Sequence, residues 1–421
     1  MNIKIHRGLE QIGGCITEIF TDTSRIFIDF GQNLPGCGKP STPEEDENLV
    51  KTILSYNNKK HEAIFYSHGH EDHVGLFEYI PNTIPQYMST GTKELLSIKY
   101  GLLSEGASLN VDELQKNNCS SEEYSTAVNL YTQAENKCKL IKQMRTWYRT
   151  APQKKPESIM IGDIKVTPFF NCHSIYDSHM FLIEADDKRI WHTGDYREHG
   201  YMGKGLIPTL KKYATNIDTL ITEGTMLNRD DKCIHEREVS AKMTNMMCTF
   251  KYVFVLASAT DIERLAAIKE AANKSDKAIY VCSKFMKQTM AFFTEQEKEL
   301  SRGLFSFHPK FYSQRLVRSI KRNGMVMITG SSQKNHIKEI IKELPQEETL
   351  LIYSLWDGYY KNLEQIKENP VYKEFREMFY NVVDIHTSGH ADRKTIEKVI
   401  RTINPKKIIC IHKEADAEDV N

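Results

Sequence analysis

Residues 67–73 read Ser-His-Gly-His-Glu-Asp-His and place three imidazoles and two carboxylates within six consecutive positions. The apolar run at 63–66 predicts a buried strand directly before them. A strand ending in such a loop is typical of a metal site, because neutral imidazole and carboxylate bind zinc. His68 and His70 can point at one ion, while Asp72 and His73 reach a second ion beside it, as hydrolysis at a two-metal centre requires. A solvated, histidine-rich turn is the competing interpretation, and the further ligand candidates below argue against it.

The composition is that of an ordinary globular protein, and 421 residues are enough for two domains. Lys and Arg together number 56, as do Asp and Glu, so the chain has no net positive charge that would attract nucleic acid over its whole surface. A local basic groove remains compatible with zero net charge. The chain shows neither a membrane-spanning apolar segment nor the apolar core of a secretory signal. Nine scattered cysteines without a CxxC pair favour a reducing compartment, so we expect a cytoplasmic protein without membrane contact.

The apolar pattern divides the chain into a first part rich in strands and a later part in which helices and strands alternate. Strands are expected within the first 35 residues and at about 159–192, and helices at about 43–60 and from about Val74. From about residue 229 the pattern is typical of an open α/β sheet with buried parallel strands. Those strands are expected at 253–257, 278–282, 325–328 and 350–353.

Between these parts, residues of about 92–155 are polar and helical in character. Basic residues gather at the end of this stretch, near Trp147 and Tyr148. They are Lys139, Lys142, Arg145, Arg149, Lys154 and Lys155. The stretch is interpreted either as a solvated helical insertion or as a lid that contacts substrate, since basic side chains beside aromatic rings suit phosphates and stacked bases.

Four further residues follow strand-like runs and are candidates for the same site. His173 follows the run 166–170, Asp195 follows Ile190 and Trp191, and His412 ends a final strand expected at 408–412. His390 lies in the segment Ser-Gly-His-Ala at 388–391. A single histidine after a strand is more often structural than functional, but the four residues together, in this order, argue for one site.

The order of these motifs resembles that of the metallo-β-lactamase superfamily. The motifs are His68-x-His70-x-Asp72-His73, then His173, Asp195 and His412. Segments 8–14, 173–178, 192–195 and 388–391 further resemble the β-CASP branch and, within it, RNase J-like ribonucleases. The resemblance implies an α/β protein, a metallo-β-lactamase αββα four-layer sandwich with an inserted β-CASP α/β domain. The sandwich is expected from residues 1–228 and 384–421, and the β-CASP domain from residues 229–383.

The resemblance also implies two Zn²⁺ ions per chain, although the same donor set suits manganese or iron. One ion would be held by His68, His70 and His173, the second by Asp72, His73 and His412, and Asp195 would bridge both. A hydroxide between the ions would be the nucleophile, because metal binding lowers the pKa of water, and Asp72 is placed to orient it.

Other roles carry over from the β-CASP branch. Glu223 would orient either a ligand histidine or the neighbouring His390, which would contact the scissile phosphate and protonate the leaving oxygen. Ser388 and Gly389 would contribute donors to phosphate oxygens. Ser331 and Ser332, where a strand turns into a helix, fit either an anion site or ordinary helix capping.

The chain departs from the branch in several places. Glu223 is followed by Gly224 and Thr225 where the branch usually has Ser-Thr, and His412 is followed by Lys413 instead of a small residue. RNase J-like enzymes generally continue into a further domain, whereas this sequence stops at Asn421. We therefore leave open whether the chain forms a homodimer or acts processively.

The leading hypothesis is a metal-dependent ribonuclease that hydrolyses phosphodiester bonds of single-stranded RNA, leaving a 5′-phosphate and a 3′-hydroxyl. The RNA would enter between the two domains, where the basic residues Arg315, Arg318, Lys321 and Arg322 are candidates for lining the cleft. The alternative is a two-metal hydrolase of a small molecule, such as a lactone, thioester or cyclic nucleotide. A binding protein with an inactive site is disfavoured by the complete ligand set. The sequence leaves open exonuclease against endonuclease action and RNA against DNA.

Overall fold

The computed structural model describes residues 1–34, 41–55, 59–116, 119–149, 154, 156–229, 233–298 and 303–418. Within these ranges the strands form three six-stranded sheets. Lys155, which the sequence places at the basic end of the helical stretch, lies outside the described residues. No helix in these ranges has both the length and the apolar character that crossing a membrane requires.

The first sheet is built from the amino-terminal part of the chain, in the order β1-β2-β3-β4-β5-β6. Its strands are β1 (Asn2–Arg7), β2 (Ile16–Phe20), β3 (Ser24–Ile28), β4 (His61–Phe65), β5 (Gln86–Ser89) and β6 (Arg145–Trp147). The first three strands pair antiparallel, and β3 to β6 pair parallel. Because β3 to β6 run parallel, their carboxyl ends lie at the same end of the sheet. Residues 67–73 follow the carboxyl end of β4 and therefore lie at that end.

The second sheet has the order β18-β11-β10-β9-β8-β7. Its strands are β7 (Ile159–Ile161), β8 (Ile164–Asn171), β9 (Ser178–Ala185), β10 (Lys188–His192), β11 (Thr219–Glu223) and β18 (Lys407–Ile411). Strands β10, β11 and β18 are parallel, so His192, Glu223 and Ile411 end side by side. This register brings the residues that follow each strand, His412 among them, to one edge of the sheet.

The first two sheets pack face to face, and their inner faces share one core that includes Ile26, Phe65, Phe181 and Ile183. Helices cover the outer faces. They are α1 (Pro43–Ser55) on the first sheet, and α5 (Leu206–Tyr213) and α14 (Arg393–Ile403) on the second. The layers therefore run helix, sheet, sheet, helix, which is the αββα sandwich that the sequence predicted.

The third sheet comes from the later part of the chain and has the order β14-β13-β15-β12-β16-β17. Its strands are β12 (Tyr252–Leu256), β13 (Ile279–Val281), β14 (Lys310–Phe311), β15 (Met325–Thr329), β16 (Thr349–Tyr353) and β17 (Asn381–Asp384). All neighbouring pairs are parallel. Their carboxyl ends therefore share one edge, as the apolar runs predicted for an open α/β sheet.

Helices cover both faces of this sheet, as buried parallel sheets require. One face carries α6 (Glu236–Thr249), α7 (Ile262–Lys274) and α8 (Lys284–Gln296). The other carries α9 (Val317–Asn323), α10 (Lys334–Ile341) and α13 (Val371–Glu377). Two short helices, α11 (Gly358–Lys361) and α12 (Leu363–Glu368), connect β16 to α13.

The polar stretch after β5 forms two long helices, α3 (Thr90–Lys116) and α4 (Ser121–Gln143), which pack against each other. Helix α4 begins with a capping box in which Ser120 and Glu123 satisfy each other's backbone N–H groups. Lys284 of α8 forms an ion pair of 2.7 Å with Glu105 of α3, so the helical pair lies beside the third sheet. Whether it acts as a lid stays a prediction.

One local prediction is wrong. A helix was expected from about Val74, but the short helix α2 spans Glu71–Val74 and ends there. The helix begins within the histidine run, where His70 has an extended backbone at the N-cap position and its side chain forms no cap hydrogen bond. Asp72 and His73 therefore lie on a helical turn and not in an open loop. The domain boundaries after residues 228 and 383 stay a prediction.

Candidate metal centre

Asp29, which follows β3, anchors the histidine run. Its carboxylate accepts hydrogen bonds from the Ser67 backbone N–H at 2.7 Å and from the Ser67 hydroxyl at 2.8 Å. Its Oδ2 also lies 2.8 Å from Nδ1 of His73. A carboxylate on Nδ1 fixes the ring so that Nε2 points away from it, as ligand histidines in metal sites require. Sequence analysis missed Asp29, although its place directly after a strand was a signal.

Three histidines gather at one point. Nδ1 of His70 lies 3.1 Å from Nε2 of His68 and 3.2 Å from Nε2 of His173. All three ligand atoms lie within 4.8 Å of one another. Burial lowers the pKa of His68 and of His173, and it lowers the pKa of His70 to about 4. The rings are therefore neutral near pH 7, which is the form that binds metal.

A second group lies beside the first and contains both predicted carboxylates. Nε2 of His73 lies 3.0 Å from Oδ2 of Asp195, and Nε2 of His412 lies 3.1 Å from Oδ2 of Asp72. Burial alone would raise the pKa of either carboxyl, but neighbouring histidines lower the pKa of Asp72 to about 2 and hold that of Asp195 well below its usual range. Both are therefore carboxylates near neutral pH.

Asp195 reaches both groups. Its Oδ2 lies 3.9 Å from Nε2 of His68, 3.8 Å from Nε2 of His173 and 3.6 Å from Nε2 of His412. The structure thus brings all seven sequence-predicted ligands together, with Asp195 between the two groups. His412 arrives from β18, more than two hundred residues after the other ligands, because β18 pairs with β11.

The donor atoms fit a metal. Nε2 of His73 and Oδ2 of Asp195 are buried and lie 3.0 Å apart, but the geometry between them is not that of a hydrogen bond, and neither atom has another such bond among the described residues. Leaving such atoms unsatisfied costs about 1–3 kcal/mol each, more for a charged group. Metal coordination would satisfy both atoms, and five imidazoles with two carboxylates are a donor set that zinc accepts.

Backbone packing holds Asp72 in place. A Cβ on Gly31 would lie 1.7 Å from the Asp72 carbonyl oxygen, which no side chain can accommodate. Gly13 adopts φ +79°, and a Cβ there would lie 3.0 Å from the Asp72 side chain. The glycines near the start of the chain therefore let two backbone segments approach the ligand loop closely.

Thr225 joins the catalytic candidates to the ligands. The hydroxyl of Thr225 donates to Oε2 of Glu223 at 2.8 Å and lies 2.7 Å from Nδ1 of His412. Oε2 of Glu223 lies 2.8 Å from Nδ1 of His390. Burial opposes protonation of His390, but Glu223 more than offsets this and raises the pKa of the imidazole. Glu223 thus contacts His390 directly and His412 through Thr225, so both predicted roles have a geometric basis.

The segment before His390 contacts two histidines through its backbone carbonyls. The Gly389 carbonyl lies 2.6 Å from Nδ1 of His173, and the Ser388 carbonyl lies 2.7 Å from Nε2 of His199. The Ser388 hydroxyl accepts a hydrogen bond from the His390 backbone N–H at 3.1 Å. These contacts orient histidines within the site, whereas phosphate contacts by this segment stay a prediction.

Ser331 and Ser332 follow β15 in a short 3₁₀ turn, at the carboxyl edge of the third sheet. The segment carrying His390 begins at the same edge, because it follows β17, which ends at Asp384. Ser332 is exposed and Ser331 is partly so. The two serines and the segment carrying His390 therefore follow strands at the same end of the third sheet, but they belong to different strand connections.

A buried network of charges supports the segment that carries His390. Arg264 donates to Glu236 at 3.0 Å and to the Thr387 carbonyl at 3.1 Å. Arg197 donates to Glu236 at 3.2 Å and to Asp261 at 3.0 Å. Sequence analysis missed this network, because the residues converge only after the second and third sheets have packed.

Comparison with known proteins agrees with this geometry. Residues 378–419, which include His390 and His412, match the family described as "Zn-dependent metallo-hydrolase RNA specificity domain". Proteins named ribonuclease J from Helicobacter pylori strain 26695 and from Pyrococcus abyssi are 20% and 23% identical over 97% and 98% of this chain. The chain is thus similar to ribonuclease J proteins along nearly its whole length, and its carboxyl-terminal segment matches a metallo-hydrolase family.

The two relatives differ in how much of their own length the chain covers. The chain spans 55% of the Helicobacter protein but 90% of the Pyrococcus protein. A crystal structure of a protein of unknown function from Enterococcus faecalis V583 superposes with a TM-score of 0.70 at 18% identity, covering 100% of this chain and 95% of that one. The predicted fold class is thereby confirmed.

Proposed function

We propose that this chain is a metal-dependent ribonuclease that hydrolyses phosphodiester bonds of single-stranded RNA with two Zn²⁺ ions. The observation that carries the proposal is the position of Asp195 Oδ2, which lies within 4 Å of ligand atoms from both groups of histidines. A shared carboxylate is what two neighbouring dications need. The relatives named ribonuclease J and the RNA-specificity segment support RNA as the substrate.

Two ions bound here would neutralise the phosphate and supply an activated water at neutral pH. Asp72 would accept a hydrogen bond from that water and orient it toward phosphorus. His390, held at Nδ1 by Glu223, would donate the proton on Nε2 to the departing 3′-oxygen as the P–O bond breaks. The products would be a 5′-phosphate and a 3′-hydroxyl.

The protein supplies further parts of the proposed reaction. Ser331 and Ser332 are proposed to contact substrate phosphates beyond the scissile bond, together with Ser388 and Gly389. A cytoplasmic setting belongs to the same proposal, since the cysteines of the described residues are free thiols. Manganese is the proposed substitute for zinc, because imidazole and carboxylate accept both.

The test is degradation of a 5′-monophosphorylated, end-labelled single-stranded RNA with zinc or manganese. Metal-dependent products that vanish in Asp72→Ala support the proposal, and their ladder separates exonucleolytic from endonucleolytic attack. Glu414→Gln, an exposed carboxylate two residues beyond His412, is the matched control and should cleave normally. Two ions per chain by elemental analysis, without cleavage of RNA, would overturn the proposal in favour of a small-molecule hydrolase.

A further inference from the structure

The carboxyl ends of the third sheet's strands extend from β17, which precedes the segment carrying His390, to β14, which carries an exposed aromatic ring. Strand β17, at one side, leads into the segment carrying His390, and strand β14, at the other side, ends with Phe311. Five inter-strand steps separate them in the sheet order, which corresponds to about 24 Å at the usual strand spacing. Ser331 and Ser332 follow β15 and lie between the two ends of this path.

Phe311 is 40% exposed although it belongs to a strand. Both residues of β14 are exposed, because it is the edge strand of the sheet. Nζ of Lys287, in α8, lies 5.4 Å from the centre of the Phe311 ring. Nζ of Lys310 lies 5.8 Å from the ring of Tyr280 on the neighbouring strand. The exposed ring of Phe311 thus has one ammonium group over it, and Lys310 adds a second at the same edge strand, on the opposite face of β14.

Two guanidinium groups lie in the segment directly after β14. Arg315 and Arg318 follow Phe311 closely, are exposed, and are three residues apart along a helical segment, so they share a face. Among the residues that the structure describes, Lys287, Lys310, Arg315 and Arg318 form no salt bridge. The neighbouring Lys284 and Lys334, by contrast, pair with Glu105 and Glu374. Positive charge therefore remains concentrated here in a chain whose net charge is zero.

We propose that Lys287, Lys310, Phe311, Arg315 and Arg318, hereafter the Phe311 platform, bind single-stranded RNA outside the metal centre. The inference rests on the proposed ribonuclease function and adds a second contact region for the same strand. A base would stack on Phe311 while the four cations contact the flanking phosphates, the combination by which proteins bind single strands without reading sequence. An acidic protein segment would pair with the cations, but it has no base to stack on the ring of Phe311.

Binding is measured by fluorescence anisotropy with an RNA of about 16 nucleotides, the upper range of such sites, in the His390→Ala background so that the strand stays intact. Phe311→Ala should weaken binding about 10-fold, as loss of one stacked base does, and Phe311→Trp should restore it. Lys287→Glu with Arg315→Glu should reduce the slope of log affinity against log salt by about 1.4, for two lost phosphate contacts.

Matched controls lie on the opposite side of the same domain. Tyr380→Ala removes an aromatic ring that is 79% exposed beside β17, and Lys373→Glu reverses an exposed charge on α13. Neither should change the affinity or the salt slope. Wild-type affinity in Phe311→Ala, or equal losses in the control variants, would refute the platform.

Cleavage of short substrates tests RNA binding at the platform separately from the proposed ribonuclease activity. A trinucleotide is too short for the path of about 24 Å, so Phe311→Ala with His390 intact should cleave it at the wild-type rate while losing activity on the longer RNA. If wild-type protein cleaves neither RNA, the ribonuclease proposal fails and the binding assay alone decides on the platform. Displacement of the RNA by polyglutamate at equal charge concentration, with no effect of Phe311→Ala, would overturn RNA in favour of an acidic protein.

Discussion

Oε2 of Glu223 and Nδ1 of His390 lie 2.8 Å apart although 167 positions separate the two residues in the chain. Glu223 ends β11 in the sandwich, whereas His390 follows the last strand of the third sheet. The carboxylate fixes the imidazole with Nε2 directed away from it. The orientation of the His390 ring is therefore set by a contact between the sandwich and the segment that follows the third sheet.

His390→Ala should lower RNA cleavage by about 100-fold or more, because a positioned proton donor typically contributes a factor of about 10² to 10⁴. Metal content by elemental analysis should stay at the wild-type level, since His390 is not among the proposed ligands. Loss of metal from this variant would show that His390 is a ligand and would contradict its role as an acid.

Thr225→Val should reduce metal affinity by about 10-fold or more, because partners that orient a ligand histidine typically contribute this much. The substitution keeps the shape of the side chain but removes the hydroxyl 2.7 Å from Nδ1 of His412. Competition with a chromophoric chelator measures the affinity. Thr225→Ser should retain it, and equal losses in the two variants would assign the effect to packing.

Gly31→Ala should destabilise the fold by about 3 kcal/mol, the upper range for overpacking, because its Cβ would collide with the Asp72 backbone. Metal content should fall in parallel, since the ligand loop must move. Gly101→Ala is the control. Gly101 lies within α3, where an added Cβ would meet no packed neighbour within 4 Å, and alanine there should stabilise the protein by up to about 1 kcal/mol. Urea denaturation measures both.

Glu236→Ala should destabilise the protein by about 3–5 kcal/mol, because it leaves the buried guanidinium groups of Arg197 and Arg264 without their shared carboxylate. Replacing Glu377, which forms an exposed ion pair with Lys373, should cost less than about 1 kcal/mol. Similar losses at the two positions, measured by urea denaturation, would contradict the importance of the buried network.

Glu236 also predicts a dependence of stability on pH. Burial would raise its pKa, but Arg264 and Arg197 more than offset this and lower it to about 2, from 4.5 for the free side chain. Its contribution is therefore complete above about pH 5 and is lost as the pH falls toward 2. The difference in unfolding free energy between wild type and Glu236→Gln should shrink over this range. A constant difference would show that Glu236 does not titrate with folding.

The sequence was sufficient to predict which residues gather at the candidate centre, because their spacing is local or follows strand ends. His68, His70 and His73 fall within one short run, and Asp195 and His412 each follow an apolar strand. The strands of the third sheet were likewise visible as buried apolar runs, at 253–257 and 325–328 for example. The metal-binding roles of the predicted ligand residues stay predictions, and the geometry that brings these residues together supports those roles.

What the sequence did not disclose depends on contacts between distant segments. The place of Asp29 after a strand was a signal, but its partner His73 became visible only in the structure. The pairing of Arg264 with Glu236 exists only where α6 and α7 pack together. Helix α2 was misplaced because local propensity carries little information about a turn whose backbone is fixed by ligand-loop packing. Tertiary structure decided these features, and no spacing rule encodes them.

Because His412 follows β18, the candidate metal centre can form only after β18 has been synthesised. Strand β18 pairs with β11, and all residues of the third sheet lie between the two strands in the chain. Domains generally fold as they emerge from the ribosome, amino-terminal parts first. On a nascent chain the six earlier ligands can gather while the seventh is still untranslated. The centre is therefore completed only after the third sheet has been made, so its assembly waits on the synthesis of the whole third sheet.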